Sequence, residues 1–144
     1  MSLGFQHALF KTVRGEVLGV GRNNKYQLGS GKALDEENRQ VVNQFSGANP
    51  IELPQAVRQV SAGKFHSVFL GADDSLYSVG YNQYGQLGVS NSLYMHREKP
   101  MEVYTGGLRD IRKVVSGWHH NLLLDGEGRV YHFGAKLSGQ FDGK

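Results

Sequence analysis

An all-β fold of repeated small antiparallel sheets is predicted by three observations: abundant glycine, one pair of motifs written three times, and period-two alternation between the motifs. Glycine supplies 20 of 144 residues, about twice its usual share of roughly 7%. Only three prolines accompany it, and 39% of the residues are hydrophobic. The excess therefore points to tight turns between short ordered segments rather than to low-complexity disorder.

The first motif, Gly-x-x-His, occurs at Gly4–His7, Gly63–His66 and Gly117–His120, offset by 59 and then 54 residues. The second begins at Gly21, Gly80 and Gly134, with the same two offsets and a constant 17-residue interval from the first. In copies one and two it reads Gly-x-Asn-x-x-x-Gln-Leu-Gly, carrying Asn23, Gln27 and Gly29, then Asn82, Gln86 and Gly88. Copy three keeps Gln140. Because the 17-residue core is constant, the five-residue difference in repeat length falls elsewhere, in a polar surface loop at about 30–56 that carries Asn49-Pro50.

Each element follows from this frame. "HALF", "HSVFL" and "HNLLL" supply a strand after each Gly-x-x-His. "TVRGE", "GADDS" and "DGEGR" supply a hairpin turn with Gly15, Asp74 and Gly128 equivalent. The next strand alternates: Val17, Leu76 and Val130 share one parity, while Leu18-Val20, Tyr77-Val79 and Tyr131-Phe133 share the other. A third strand, around Val57–Ala62 and Ile111–Ser116, leads into the second and third Gly-x-x-His.

Repeats of about 50 residues, each one antiparallel sheet, predict β-propeller blades. Three blades are expected: units at about 4–62, 63–116 and an incomplete 117–144, with no strand expected ahead of Gly4. "DDSLYSVGYNQYGQLG" and "VSAGKFHSVFL" resemble the repeat of the regulator of chromosome condensation family. The resemblance covers essentially the whole chain. It weakens in the third copy, where Lys136, Phe141 and Asp142 stand for Asn, Leu and Gly. It implies a seven-bladed propeller used as a protein-interaction platform, of which this chain is a partial propeller of about three blades. Further blades or other subunits are then expected to cover its two outer faces.

The chemistry classes narrow quickly. Sixteen basic and thirteen acidic residues give a dispersed net charge of +3, so nucleic-acid binding is possible but not favoured. There is no cysteine, hence no disulfide framework or thiolate metal site. No apolar run approaches the ~18 residues of a membrane span, and an intracellular protein, cytoplasmic or nuclear, is expected. His7, His66 and His120 look like a three-histidine metal set. Their equivalence in successive blades instead spaces them roughly 10 Å or more apart, against the ~2 Å that zinc needs. Each is expected to hydrogen-bond within its own blade. Gly19-Val20-Gly21 lacks the third glycine and the helix of a dinucleotide loop. Gln27, Gln86 and Gln140 read as turn-locking amides. Asp35, Glu36 and Glu37 cluster in the inserted loop as solvated charge, and no nucleophile or recurring acidic pair suggests catalysis. No metal, cofactor or enzymatic activity is expected.

Partner contact is expected from the variable turn positions. Phe5, Phe65, Trp118 and His119 lie inside the Gly-x-x-His turns, and Arg22, Lys25, Tyr26, Tyr81 and Tyr84 inside the Asn turns. An exposed Trp118 is a natural interface anchor, its other reading being packing on the neighbouring blade. His119 is expected to be an exposed loop residue. The function expected is a non-enzymatic protein-interaction scaffold. The alternatives are guanine-nucleotide exchange on a small GTPase with chromatin association, as the family resemblance allows, and direct nucleic-acid binding.

Overall fold

A computed structural model describes residues 1–29, 49–90 and 92–135. Strand β1 (Ser2–Leu3), β2 (His7–Lys11), β3 (Val17–Gly21) and β4 (Asn49–Ile51) form the first sheet, in that order. The second sheet runs β5 (Val57–Ala62), β6 (His66–Gly71), β7 (Leu76–Tyr81) and β8 (His96–Val103). The third contains β9 (Ile111–Ser116), β10 (His120–Asp125) and β11 (Val130–Gly134). All pairings are antiparallel, and no helix occurs among the described residues. The all-β blade architecture is as the repeats predict.

The three hairpins use one device. Gly15, Asp74 and Gly128 take φ of 83°, 71° and 82°, and each N–H donates to the carbonyl three residues earlier, on Thr12, Gly71 and Asp125. A type I turn closed by a left-handed residue suits the twist of an antiparallel pair, and Asp tolerates that conformation better than most side chains.

Two features differ from expectation. A short strand, β1, does precede Gly4 and pairs with β2 through Ser2↔Leu9 and Leu3↔Ala8. Each sheet thus takes its first strand from before its own Gly-x-x-His, so the sheets run 2–51, 57–103 and 111–134. The repeat units counted from the motif are out of phase with them. In addition, Asn49–Ile51, expected inside the surface loop, pairs with β3. Pro50 suggested a loop, yet proline is tolerated on an edge strand, and Ile51 is buried in the core. Residues 30–48, the bulk of that expected loop, lie outside the described residues, as does Gln140.

Side-chain parity divides the core in two. Leu9, Val17 and Ile51 of the first sheet pack on Phe69, Tyr77 and Val79 of the second. Val68, Leu70 and Leu76, on the other face of that second sheet, pack on Ile111, Val114 and Leu123 of the third. The middle sheet is therefore buried on both faces and each flanking sheet on one. This is how consecutive blades share a core.

Candidate protein-interaction face

In an antiparallel sheet the start of one strand lies beside the end of the next. His66 accordingly pairs with Gly80, which brings the Gly-x-x-His turn and the Asn turn to one end of each sheet. The two turns are joined at equivalent points: Arg22, Tyr81 and Ala135 donate their N–H to the carbonyls of Gln6, Phe65 and His119, at 2.8, 2.9 and 2.8 Å. Gly21, Gly80 and Gly134 allow this closeness, since each has positive φ and a Cβ there would collide with the same carbonyl oxygens.

Each Asn turn is held from inside. Asn23 Oδ1 accepts from Leu28 N at 2.8 Å, and Gln27 Oε1 accepts from Lys25 N at 2.9 Å. Copy two repeats both bonds, Asn82 with Leu87 at 3.0 Å and Gln86 with Tyr84 at 2.9 Å. All four amide side chains are buried. They fix the turn backbone and leave the intervening positions free to vary.

The histidines join blades. His7 Nε2 lies 2.9 Å from Ser67 Oγ, and the Ser67 hydroxyl donates to the Gln27 carbonyl at 2.6 Å. A hydroxyl has one proton, so His7 must donate from Nε2. In the next joint His66 Nε2 lies 2.9 Å from Asn121 Oδ1, an acceptor, while Asn121 Nδ2 donates to the Gln86 carbonyl at 2.6 Å. Both rings are neutral Nε2–H tautomers whose buried Nδ1 has no acceptor to receive a proton. Burial accordingly lowers both pKa values from 6.5 to about 4; neighbouring histidines add to the shift, and for His66 the Asn121 bond opposes it. For His7 and His66 the expectation of bonding within one blade is corrected: each partner lies on the following sheet. Sequence equivalence reveals that the rings are alike but not which face of the sheet they point from.

Around these joints the variable positions gather into one aromatic and basic surface. Phe5 meets Phe65 at 6.3 Å edge-on and Trp118 at 6.1 Å, so turns from all three sheets converge. Phe65 meets Tyr81 at 6.4 Å, and Tyr84 meets His119 at 4.5 Å. Lys64 Nζ lies 5.4, 5.3 and 4.7 Å from the ring centroids of Phe5, Phe65 and Trp118, within cation–π range. Lys25 lies 5.2 Å over Tyr81. Phe5, Trp118 and Tyr84 remain 58%, 63% and 46% exposed despite these contacts.

The profile of the regulator of chromosome condensation (RCC1) repeat matches residues 14–70 and 73–124, and a second profile of the same repeat matches 57–86 and 111–140. The chain belongs to the regulator of chromosome condensation repeat family. It is 31% identical over 140 residues to the ultraviolet-B receptor of Arabidopsis thaliana, covering 97% of this chain and 30% of that protein. It is 33% identical over 135 residues to a human RCC1-like G exchanging factor-like protein, covering 87% and 28%. Yeast RCC1 (Prp20), solved bound to Kap60, superposes with a TM-score of 0.76 at 31% identity, over 91% of this chain and 28% of that one. The chain thus spans under a third of the length of these relatives.

Within this repeat framework the candidate residues divide. Phe5, Phe65, Trp118, His119, Lys25, Tyr81 and Tyr84 join the convergent surface. Tyr26 stacks instead on His96 of the second sheet at 4.7 Å, and Arg22 stands exposed at the same end. Trp118 packs on Lys64 of the neighbouring sheet, as its packing reading expects, and on Phe5 of the first, and stays mostly exposed. His119 is half-buried against Tyr84 rather than an exposed loop residue, and burial together with Lys64 and His120 lowers its pKa. Lys64 was the residue sequence reasoning passed over, because a lone turn lysine reads as solvated charge; its equivalence to Phe5 and Trp118 was the available signal. Among the described residues no three His, Asp or Glu side chains gather as a metal-holding group.

Proposed function

We propose that this chain is a protein-interaction segment of a larger propeller, docking its partner on the Phe5–Lys64–Phe65–Trp118 surface and working inside the cell. One observation supports this above the others: repeat positions free to vary carry aromatics that converge from three sheets and stay exposed. Interface hot spots favour such residues, which bring large apolar area and few rotors. The buried Asn and Gln side chains fix the backbone of the adjoining Asn turns, which carry Lys25 and Tyr84, and this lowers the entropy cost of docking there.

A photo-crosslinking residue placed at Tyr84 should trap the partner, while the same residue at Val13, exposed in the β2–β3 hairpin at the opposite end, should not. Trapping at Val13 alone would overturn the reading. Guanine-nucleotide exchange is the second reading, favoured by the likeness to the G exchanging factor-like protein. It requires that the chain accelerate release of labelled GDP from a small GTPase. Docking alone does not.

A further inference from the structure

We infer that the partner segment bound at this surface is acidic: a stretch of polypeptide that places carboxylates on Lys64, Lys25 and Arg22 and an apolar side chain against Trp118 and Phe5. This rests on the docking reading above and adds the chemistry of what docks.

Basic residues occur at both ends of the sheets, with Lys11, Arg14 and Arg129 in or beside the hairpins, but most of the described carboxylates lie at one end. Nine of the thirteen acidic residues fall in described parts. Glu16, Asp73, Asp74, Asp125 and Glu127 sit in or beside the three hairpins, and Glu52 and Asp110 in the links between sheets at that same end. Glu102 on β8 pairs with Tyr77 toward the hairpins, while Glu98, exposed, follows Arg97, which pairs with Gly80 beside the Asn turn. The described turns of the other end carry no carboxylate, and there Lys64 and Lys25 lie over the rings while Arg22 stands exposed nearby. Lys64 and Lys25 are positioned by cation–π contact, which fixes the ammonium group without neutralising it. A carboxylate arriving there meets an oriented cation with no carboxylate in the described turns beside it, in a setting partly walled from water by Phe5, Phe65 and Trp118, where charge pairing is stronger than at an open surface.

The same geometry argues against a nucleic acid strand. Bases bind such platforms by stacking on free ring faces along a track of cations. Here Phe5 and Phe65 are edge to face, Lys64 lies over three rings, and Lys25 lies over Tyr81. Lys64 and Lys25 already lie over ring faces on which a base would stack, and Lys64, Lys25 and Arg22 make only a short phosphate track among the described residues.

Trp118 is the sole tryptophan, so its emission reports directly on this surface. A short synthetic peptide alternating Glu and Leu, titrated into the full chain, should shift Trp118 emission with an affinity that falls as salt rises. The matching Gln–Leu peptide should bind at least about tenfold more weakly. Lys64→Ala should cost about tenfold in affinity for the acidic peptide and Lys64→Arg should restore it, each variant first checked for an unchanged thermal melt. Tighter binding of oligothymidylate than of the acidic peptide would overturn the inference, as would equal binding of both peptides. Concentration-dependent self-association abolished by Lys64→Ala would also overturn it, by assigning the surface to a second copy. If a partner cross-links through Tyr84 but its trapped segment is neutral or basic, docking stands and the acidic inference falls.

Discussion

Gly63 illustrates how tightly single residues are specified here. A Cβ at this position would overlap Cε1 and Nδ1 of the buried His66 ring, and Gly117 stands in the same relation to His120. Gly63→Ala must displace His66, break its bond to Asn121 and leave buried polar atoms unpaired, an expected loss on the order of 3 kcal/mol. Gly85 provides the control. Its φ of 75° is also left-handed, yet nothing lies within 4 Å of an added Cβ, so Gly85→Ala should cost only the left-handed penalty of about 1 kcal/mol. Urea unfolding of both variants separates the steric role from the conformational one, and equal losses would refute it. Tyr26 already occupies the position equivalent to Gly85 with φ of 61°, its ring held on His96.

At the scale of elements the His joints govern how sheets stay in register. Removing Ser67 or Asn121 with alanine leaves a buried Nε2–H without an acceptor, and each substitution should cost about 1–3 kcal/mol. The joints also respond to acid. A neutral native histidine with its pKa lowered to about 4 binds its proton far more readily once unfolded, where the value returns to about 6.5. Between those pH values the unfolded state carries more protons, so stability rises with pH and is lost on acidification. Each of His7 and His66 should contribute a loss of up to about 3 kcal/mol as pH falls from about 6.5 to 4. Chemical denaturation across that range tests it, and His66→Gln should flatten the slope. Much of this level was legible in the sequence: equal 17-residue spacings placed the turns, and alternation placed the strands. The sheet phase was not, because a motif marks a recurring point without saying which strands pair around it. Nor was the direction of the joints, since both parities of the middle strands are apolar and period-two reading cannot rank two buried faces. The convergence of Phe5 with Trp118 was equally hidden, as residues more than a hundred positions apart meet only through the curvature of successive blades.

For the whole molecule the decisive contrast is between the middle sheet and its neighbours. The outward parity of the first sheet presents Leu3 and Phe10 at 68% and 37% exposure, and that of the third presents Val115 and Val130 at 45% and 62%. The residues that make joints elsewhere also change on these faces. Ser67 and Asn121 receive the histidine of the preceding blade, but the equivalent position in the first sheet is Ala8. Ser2 and Ser61 accept the N–H groups of Ala62 and Ser116 from the following sheet, whereas the equivalent position in the third is Val115. Any blade or subunit covering these faces must therefore join at those positions through apolar contact. Sedimentation tests the consequence. The isolated chain should self-associate with rising concentration, and combining Phe10→Lys with Val130→Lys should return it to a monomer. Because both side chains are already substantially exposed, the change in unfolding free energy should stay within about 0.5 kcal/mol per site. A wild-type chain that remains a compact monomer at about 100 μM, unfolding in one cooperative step, would show instead that three blades suffice and that these apolar faces need no cover.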